Sequence, residues 1–319
     1  MIEKVIHDPV LRESLKKIVD HEEKMIKYYK EEPIFQGLEP TIAWKMLEIP
    51  LEWKVLRRLL YADIVEKFGK KYYRLKDRGT VKTLLQEYQE HLKAQEEKIT
   101  KTLEQGLPDD LFDVVEGYDD LKTFFKLSLQ ADDSVHVLLV GTPGTAKSLF
   151  LMEIERLGAR FITGGTSTKV GIRDIIFDEL PKILIIDEID KISDSKDLSS
   201  ILTWMESGRV IITKHGLKDE RKGKGWVFAA CNRTDRLPPE LLDRFQVFHI
   251  KPYSKEQFIR VVTGYLTKRK GVEPDLAQYI AEKVQEYSTS VREAVRLALL
   301  AKTKGEVDKI IEIVKKYRE

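Results

Sequence analysis

Apolar residues recur along this chain with two different periods, and the change from one to the other divides it. Over residues 9–30, Leu11, Leu15, Ile18, Met25, Ile26 and Tyr29 fall near one face of a helix. Glu31-Glu32-Pro33 ends that helix, because proline cannot continue one cheaply. His21-Glu22-Glu23 within it reads as a solvated helix face rather than a metal site. Two shorter helical segments, 41–49 and 51–62, are separated by Pro50. In VEKFGKKYYRLK (65–76), Phe68-Gly69-Lys70-Lys71 predicts a turn between two short strands. A polar helix over 80–104 follows, and Gly106-Leu107-Pro108 marks a boundary.

From residue 111 strands and helices alternate. VHVLLV (135–140), RFITG (160–164), KILIID (182–187), WVFAAC (226–231) and FQVFHI (245–250) are almost continuously apolar, as parallel strands covered on both faces are. Helices between them predict a doubly wound parallel α/β sheet of five strands. Beyond Pro252 only helical patterns remain (255–268, 274–287, 290–302, 305–318), which predict a small α-helical lid. Helix, helix and basic hairpin in the first part is the winged-helix order. The domains expected are thus a helical segment 1–36, a winged-helix-like domain 37–79, a connector helix 80–107, an α/β core 108–252 and a lid 253–319.

Composition narrows the classes. Charged residues make up 34% of the chain, yet the net charge is only +2, so a basic surface must be sought locally. One cysteine, Cys231, excludes an intrachain disulfide framework and cysteine-based zinc modules. The six histidines are scattered without metal-ligand spacing. No apolar run approaches the length of a membrane span and no secretory pattern opens the chain, so the expectation is a soluble, cytoplasmic protein that makes no membrane contact.

Three strand ends carry chemistry. GTPGTAKS, comprising Gly141, Thr142, Pro143, Gly144, Thr145, Ala146, Lys147 and Ser148, follows an apolar strand and opens a helix. Glycines let successive N–H groups turn inward on phosphate oxygens, and the helix N-terminus adds its dipole. Lys147 would meet the β- and γ-phosphates of ATP, and Ser148 would offer a hydroxyl to Mg²⁺. ILIIDEID (183–190) runs four apolar residues into two carboxylates at a strand's C-terminal end, where open α/β sheets bind ligands. Asp187 would hold the Mg²⁺ and Glu188 would polarise the attacking water. FAACN (228–232) ends another buried strand in Asn232, whose amide would orient that water beside the γ-phosphate.

These motifs, with LPPELLDRF (237–245), resemble the AAA+ ATPases over residues 111–319. The resemblance implies a ring-forming homo-oligomer, six-membered in the family, whose arginine of the LLDRF-type segment reaches into the neighbouring subunit's ATP site. That residue is Arg244 here. It also implies an arginine on a lid helix, for which STSVREAVRLA offers Arg292, with Arg296 one turn later as the competing choice. MESGRVIITKHGLKDERKGKGWVFAACN is similar to the pre-sensor-one β-hairpin of MCM helicases, RuvB and MoxR-type ATPases. The phosphate loop, with Ala146 before its lysine, looks especially MCM-like. Only TSTKVGIRDIIFDELP lies between the second strand and the acidic one, so an additional helical insert of the MCM and MoxR type is absent and the chain is closer to RuvB in this respect.

Charge suggests the substrate. Residues 209–225 carry Arg209, Lys214, Lys218, Arg221, Lys222 and Lys224 against Asp219 and Glu220. Residues 40–79 carry ten basic and five acidic residues, with Lys54, Arg57 and Arg58 on the second short helix and Lys70 and Lys71 on the wing. The reading is a DNA motor whose contacts include Lys214, Lys218, Arg221, Lys222, Lys54, Arg57, Arg58, Lys70 and Lys71. The alternative is a MoxR-like protein-remodelling ATPase or assembly chaperone, in which the N-terminal region docks a partner protein.

Overall fold

The structure, a computed structural model, describes residues 2–32, 42–49, 51–165, 172–214 and 217–317. It divides into two compact units, Met1–Gln95 and Glu96–Glu319.

The first unit holds helices α1 (Ile2–His7), α2 (Pro9–Glu31) and α3 (Trp53–Tyr61), strands β1 (Trp44–Lys45), β2 (Val65–Phe68) and β3 (Tyr72–Leu75), and the start of α4 (Arg78–Gln105). Asp8 caps α2 by accepting from the N–H groups of Val10 and Leu11, and a proline at the first turn loses no intrahelical bond there. Leu11, Leu15 and Ile18 are buried with Trp44, Leu56 and Leu59. The three strands pair antiparallel in the order β1-β3-β2, with Gly69 taking the left-handed backbone that the β2–β3 turn requires.

Two expectations fail in this unit. No helix forms over 42–49: residues 44–45 are a strand and 46–49 a turn, while residue 41, Pro33 and Pro50 lie outside the described residues. Nor is Glu22 solvated. It is 2% exposed, and its Oε1 accepts the indole N–H of Trp44 (3.1 Å) and the backbone N–H of Leu75 (2.9 Å). Burial pushes its carboxyl pKa up, and the two donors partly offset that. The two failures have one cause. Trp44 is buried with its polar tip aimed at Glu22, and an extended backbone there lets Trp44 and Lys45 pair with Tyr73 and Tyr72. Tertiary pairing outweighs a weak helical preference.

The second unit contains the end of α4, then α5 (Asp119–Gln130), β4 (His136–Val140), α6 (Lys147–Glu155), β5 (Arg160–Thr163), α7 (Ile172–Glu179), β6 (Ile183–Asp187) and α8 (Ser195–Ser207). A two-stranded hairpin follows, β7 (Arg209–Lys214) and β8 (Leu217–Lys222), then β9 (Trp226–Cys231), α9 (Pro239–Leu242) and β10 (Phe245–His249). The helices α10 (Lys255–Lys270), α11 (Pro274–Gln285), α12 (Val291–Leu300) and α13 (Lys304–Lys316) complete it. The five strands lie parallel in the order β10-β4-β9-β6-β5.

Side chains alternate across this sheet. Val137, Leu139, Ile183, Ile185, Phe228 and Ala230 pack on one face with Phe125 and Phe150. Leu138, Val140, Leu184, Ile186, Val227 and Ala229 pack on the other with Ile176, Ile201 and Trp204. Both faces are covered, which is why the strands read as continuous apolar runs. His136 is buried and burial pushes its pKa down. Its Nδ1 accepts the N–H of Val227 (3.1 Å), which leaves the proton on Nε2, facing the Met205 carbonyl.

The helical lid is bolted to the sheet by charge. Arg269 of α10 is 10% exposed and pairs with Glu153 of α6, itself fully buried, and with Asp110 and Asp113. Arg260 makes a two-pronged contact with Glu116, and the Tyr253 hydroxyl donates to the Glu116 carbonyl (3.2 Å). Removing one partner of the buried Arg269–Glu153 pair would strand the other charge, so this anchor sets where the lid helices stand.

Candidate ATP site

Parallel register brings four strand ends side by side. Val140 pairs with Cys231 and Thr163 with Asp187, so the segments that follow them, Gly141, Asn232, Gly164 and Glu188, emerge at one edge of the sheet.

The loop 141–146 leaves β4 and delivers Lys147 at the first turn of α6. Gly144 adopts φ +82°, and a Cβ there would stand 2.3 Å from Oγ1 of Thr289, so the lid touches the loop at this point. A Cβ on Gly141 would meet the Ile250 carbonyl at 2.5 Å. Lys147 is 7% exposed, and its Nζ donates to the carbonyls of Gly141 (2.5 Å) and Thr142 (2.9 Å) and to Thr145 Oγ1 (3.0 Å). Asn232 Oδ1 lies 3.4 Å from the same ammonium. Burial pushes the Lys147 pKa down, and the nearby Asp187 carboxylate opposes that shift. Ser148, the next residue of α6, is half-buried. Gly144→Ala combines a strained backbone with a clash against Thr289, so nucleotide affinity is expected to fall about tenfold or more. Titration with a fluorescent ATP analogue checks this, and affinity within twofold of the parent would refute it.

Asp187 ends β6 and is 6% exposed. Its Oδ1 accepts the N–H of Glu188 (3.0 Å), and its Oδ2 faces Arg292 Nη2 at 2.6 Å. Glu188 has a left-handed backbone (φ 55°), which turns its side chain away from the strand, and its Oε1 pairs with Lys191 Nζ at 2.6 Å. Gly164 donates its N–H to the Asp187 carbonyl (2.8 Å), and a Cβ there would lie 2.2 Å from the Glu188 carbonyl. This close approach was not singled out in the sequence. Its only signal was paired glycines at the end of RFIT. The contact of Thr289 with Gly144 was missed too, since it depends on the lid's placement.

Of the two candidate lid arginines, the fold brings Arg292 to the strand ends, while Arg296 is 76% exposed and pairs with Glu293. Arg244 is not brought to this cluster. It pairs with Glu206 of α8 (2.9 Å) on the surface. Cys231 is structural: burial pushes its thiol up to about 12, and its carbonyl accepts the Gly141 N–H (3.2 Å).

The basic residues separate into free and committed groups. Arg221 donates to the carbonyls of Phe177 and Asp178, and Arg58 pairs with Asp8 at 2.6 Å, so both have structural work. Lys54, Arg57, Lys70 and Lys71 are exposed on α3 and the β2–β3 turn. Lys222 is exposed with Glu220 at 3.9 Å. The side chains of Lys214 and Lys218 lie outside the described residues. Tyr73 packs against Trp44 and Phe125 against Phe228, whereas Tyr28 and Tyr72 are exposed, with Lys45 over the Tyr72 ring (5.2 Å).

Among the described residues no three metal-ligating side chains cluster. One carboxylate and one hydroxyl is nevertheless the protein share that Mg²⁺ takes when a nucleotide's phosphates supply the rest, so Ser148 and Asp187 fit that ion.

A glycine-bearing loop between strand and helix, an acidic strand end beside it and a five-stranded parallel sheet define a P-loop ATPase of the doubly wound class. Residues 137–253 match the family model "ATPase family associated with various cellular activities (AAA)", and this segment is an AAA ATPase domain. The chain is 29% identical over 270 residues to "Zygotic DNA replication licensing factor mcm6-A" of Xenopus laevis, covering 69% of this chain and 32% of that protein. It is 32% identical over 155 residues to "Minichromosome maintenance protein MCM" of Saccharolobus solfataricus, covering 39% and 22%. The chain therefore spans about a third or less of the length of these relatives. Among solved structures, a RuvB mutant of Thermotoga maritima aligns with a TM-score of 0.46 and 19% identity, over 66% of this chain and 74% of that one. None of the described helices is long and apolar enough to cross a membrane.

Proposed function

We propose that this chain is a Mg-ATP-hydrolysing motor that assembles into a ring, hexameric as the family resemblance implies, and acts on DNA. Residues 108–252 serve as its core, 253–319 as its lid, and 37–79, joined by the connector 80–107, as a winged-helix-like module on a helical segment 1–36. The observation that carries the reading is the convergence of Lys147, Asn232, Asp187 and Arg292 at one sheet edge, in a chain whose hairpin β7–β8 is basic.

In this reading the loop N–H groups and Lys147 cradle the β- and γ-phosphates, and Lys147 exchanges its carbonyl partners for phosphate oxygens. Ser148 and Asp187 would hold Mg²⁺ together with the phosphates, and the ion would supply neutralisation of the charge on them. Glu188 accepts the proton of the attacking water, and the Asn232 amide orients that water. Arg292 moves its guanidinium from Asp187 to the γ-phosphate, so the lid senses the bound nucleotide. Arg244 serves the adjoining copy, where a cation supplied in trans stabilises the developing charge.

The DNA contact is assigned to the hairpin, through Lys214, Lys218 and Lys222, with Lys54, Arg57, Lys70 and Lys71 of the N-terminal unit as a second surface. ATP turnover is expected to rise with single-stranded, duplex or four-way DNA, and the rise to fade between low and high salt because phosphate contacts release counterions. Reversing the charges of Lys214 and Lys218 together is expected to abolish that stimulation while basal turnover stays within about twofold. Stimulation that survives the reversal would remove the hairpin from the DNA path.

The second reading, a MoxR-like protein-remodelling ATPase, has one observation in its favour. Trp53 and Tyr61 stand exposed in the N-terminal unit, and aromatic side chains are enriched where proteins meet proteins. Turnover indifferent to every DNA form at both salt concentrations would select it.

A further inference from the structure

The hairpin β7–β8 meets the ATPase core at a tightly packed root. Gly208, with φ +67°, ends α8, and its carbonyl accepts the N–H of Gly223, which closes the hairpin (2.9 Å). The Gly223 carbonyl accepts the indole N–H of the buried Trp204 (2.6 Å). A Cβ on Gly225 would stand 2.4 Å from the Pro181 carbonyl and 2.9 Å from that of Lys182. Leu180, in the turn from α7 to β6, takes a left-handed backbone (φ 45°) that branched residues avoid, and its side chain lies against Gly223.

Across this root Arg221 of β8 reaches the end of α7. Its Nη1 donates to the carbonyls of Phe177 (2.5 Å) and Asp178 (2.9 Å), and its guanidinium lies 5.7 Å from the centre of the Phe177 ring. The last carbonyls of a helix lack intrahelical partners and concentrate its negative dipole end, so a cation there is firmly held.

The root also stands at the near end of the two strands that carry the ATP chemistry. β6 runs from it to Asp187 and Glu188, and β9 runs from it to Asn232. These strands pair in parallel from Ile183↔Trp226 to Ile186↔Ala229, and about five residues of strand span roughly 17 Å. A slide of β6 along β9 on nucleotide binding would displace Pro181 and Lys182 against Gly225 at the near end. Glycines alone would absorb that displacement in their soft backbone. A side chain that ties β8 to α7 would instead turn it into movement of the whole hairpin.

We propose that Arg221 is a positioning residue, a strut that couples the hairpin to the ATP site, and not a phosphate ligand. The inference rests on ATP binding at Lys147; only its DNA arm rests on the hairpin being the DNA contact. The test is amide hydrogen exchange on the full chain with and without Mg-ATPγS. The parent is expected to change its exchange over 209–222 when the nucleotide binds. Arg221→Gln is expected to bind the nucleotide and hydrolyse ATP within about twofold of the parent, yet to lose that change. Arg221→Lys, which still presents a cation to the helix end, is expected to regain most of it. A response preserved in Arg221→Gln, or none in the parent, overturns the strut.

The DNA arm compares salt dependence. Arg221→Gln is expected to keep the parent's slope of log affinity against log salt, while Lys222→Gln lowers it by about 0.9, the loss of one duplex phosphate contact. A fall of that size in Arg221→Gln would make Arg221 a phosphate ligand and overturn the proposal. If the parent binds no DNA, the DNA reading fails, and the exchange experiment still decides the strut.

Discussion

Glu188→Gln is expected to lower ATP turnover by about 10²–10⁴-fold, the range set by loss of a general base, while nucleotide affinity stays near the parent value. The substitution keeps the shape of the side chain and removes its basicity. Because Gly164 presses on the Glu188 carbonyl and not on its carboxylate, the backbone that aims residue 188 is unaffected. The ion pair with Lys191 is lost as well, but both partners are partly exposed, so its contribution to folding is small. Steady-state turnover measured beside equilibrium binding of a fluorescent ATP analogue separates the two effects. Turnover within threefold of the parent would show that another group activates the water. A matched fall in affinity would show that residue 188 binds nucleotide and has no part in the chemical step.

The second large effect concerns assembly. Arg244→Ala is expected to lower turnover by about 10³-fold or more, in the range of an arginine supplied in trans to a transferring phosphoryl group. Nucleotide binding should persist, because Arg244 lies outside its own chain's cluster and pairs with Glu206 on the surface. Mixing Arg244→Ala subunits with Lys147→Ala subunits is expected to restore hydrolysis, since some interfaces then join an intact Lys147 to an intact Arg244. The measurement is turnover against mixing ratio, with assembly followed by light scattering. No recovery from two folded, assembling variants would place Arg244 outside the reaction.

Much of this molecule was legible because its strongest signals are local. A strand buried on both faces must be apolar throughout, so KILIID and WVFAAC declared themselves, and the structure puts strands at 183–187 and 226–231. The loop 141–146 between β4 and α6 was legible for a related reason. Its glycines, lysine and helix start are contiguous, and each meets a constraint of its own backbone. What failed was short and dependent on partners far along the chain. Residues 44–45 are a strand because Tyr72 and Tyr73 pair with them, and Glu22 is buried because Trp44 and Leu75, 22 and 53 residues away, supply its donors.

By itself the sequence determined the class of sheet, the glycine-bearing loop that opens α6 and the acidic strand end beside it, because spacing of a few residues suffices to specify them. Tertiary structure alone decided which lid arginine meets Asp187, which basic residues are free, and that Arg221 is tied to the end of α7. Those outcomes depend on how elements whose contacting residues stand 44 and 105 positions apart pack, and periodicity along a chain carries no record of such distances.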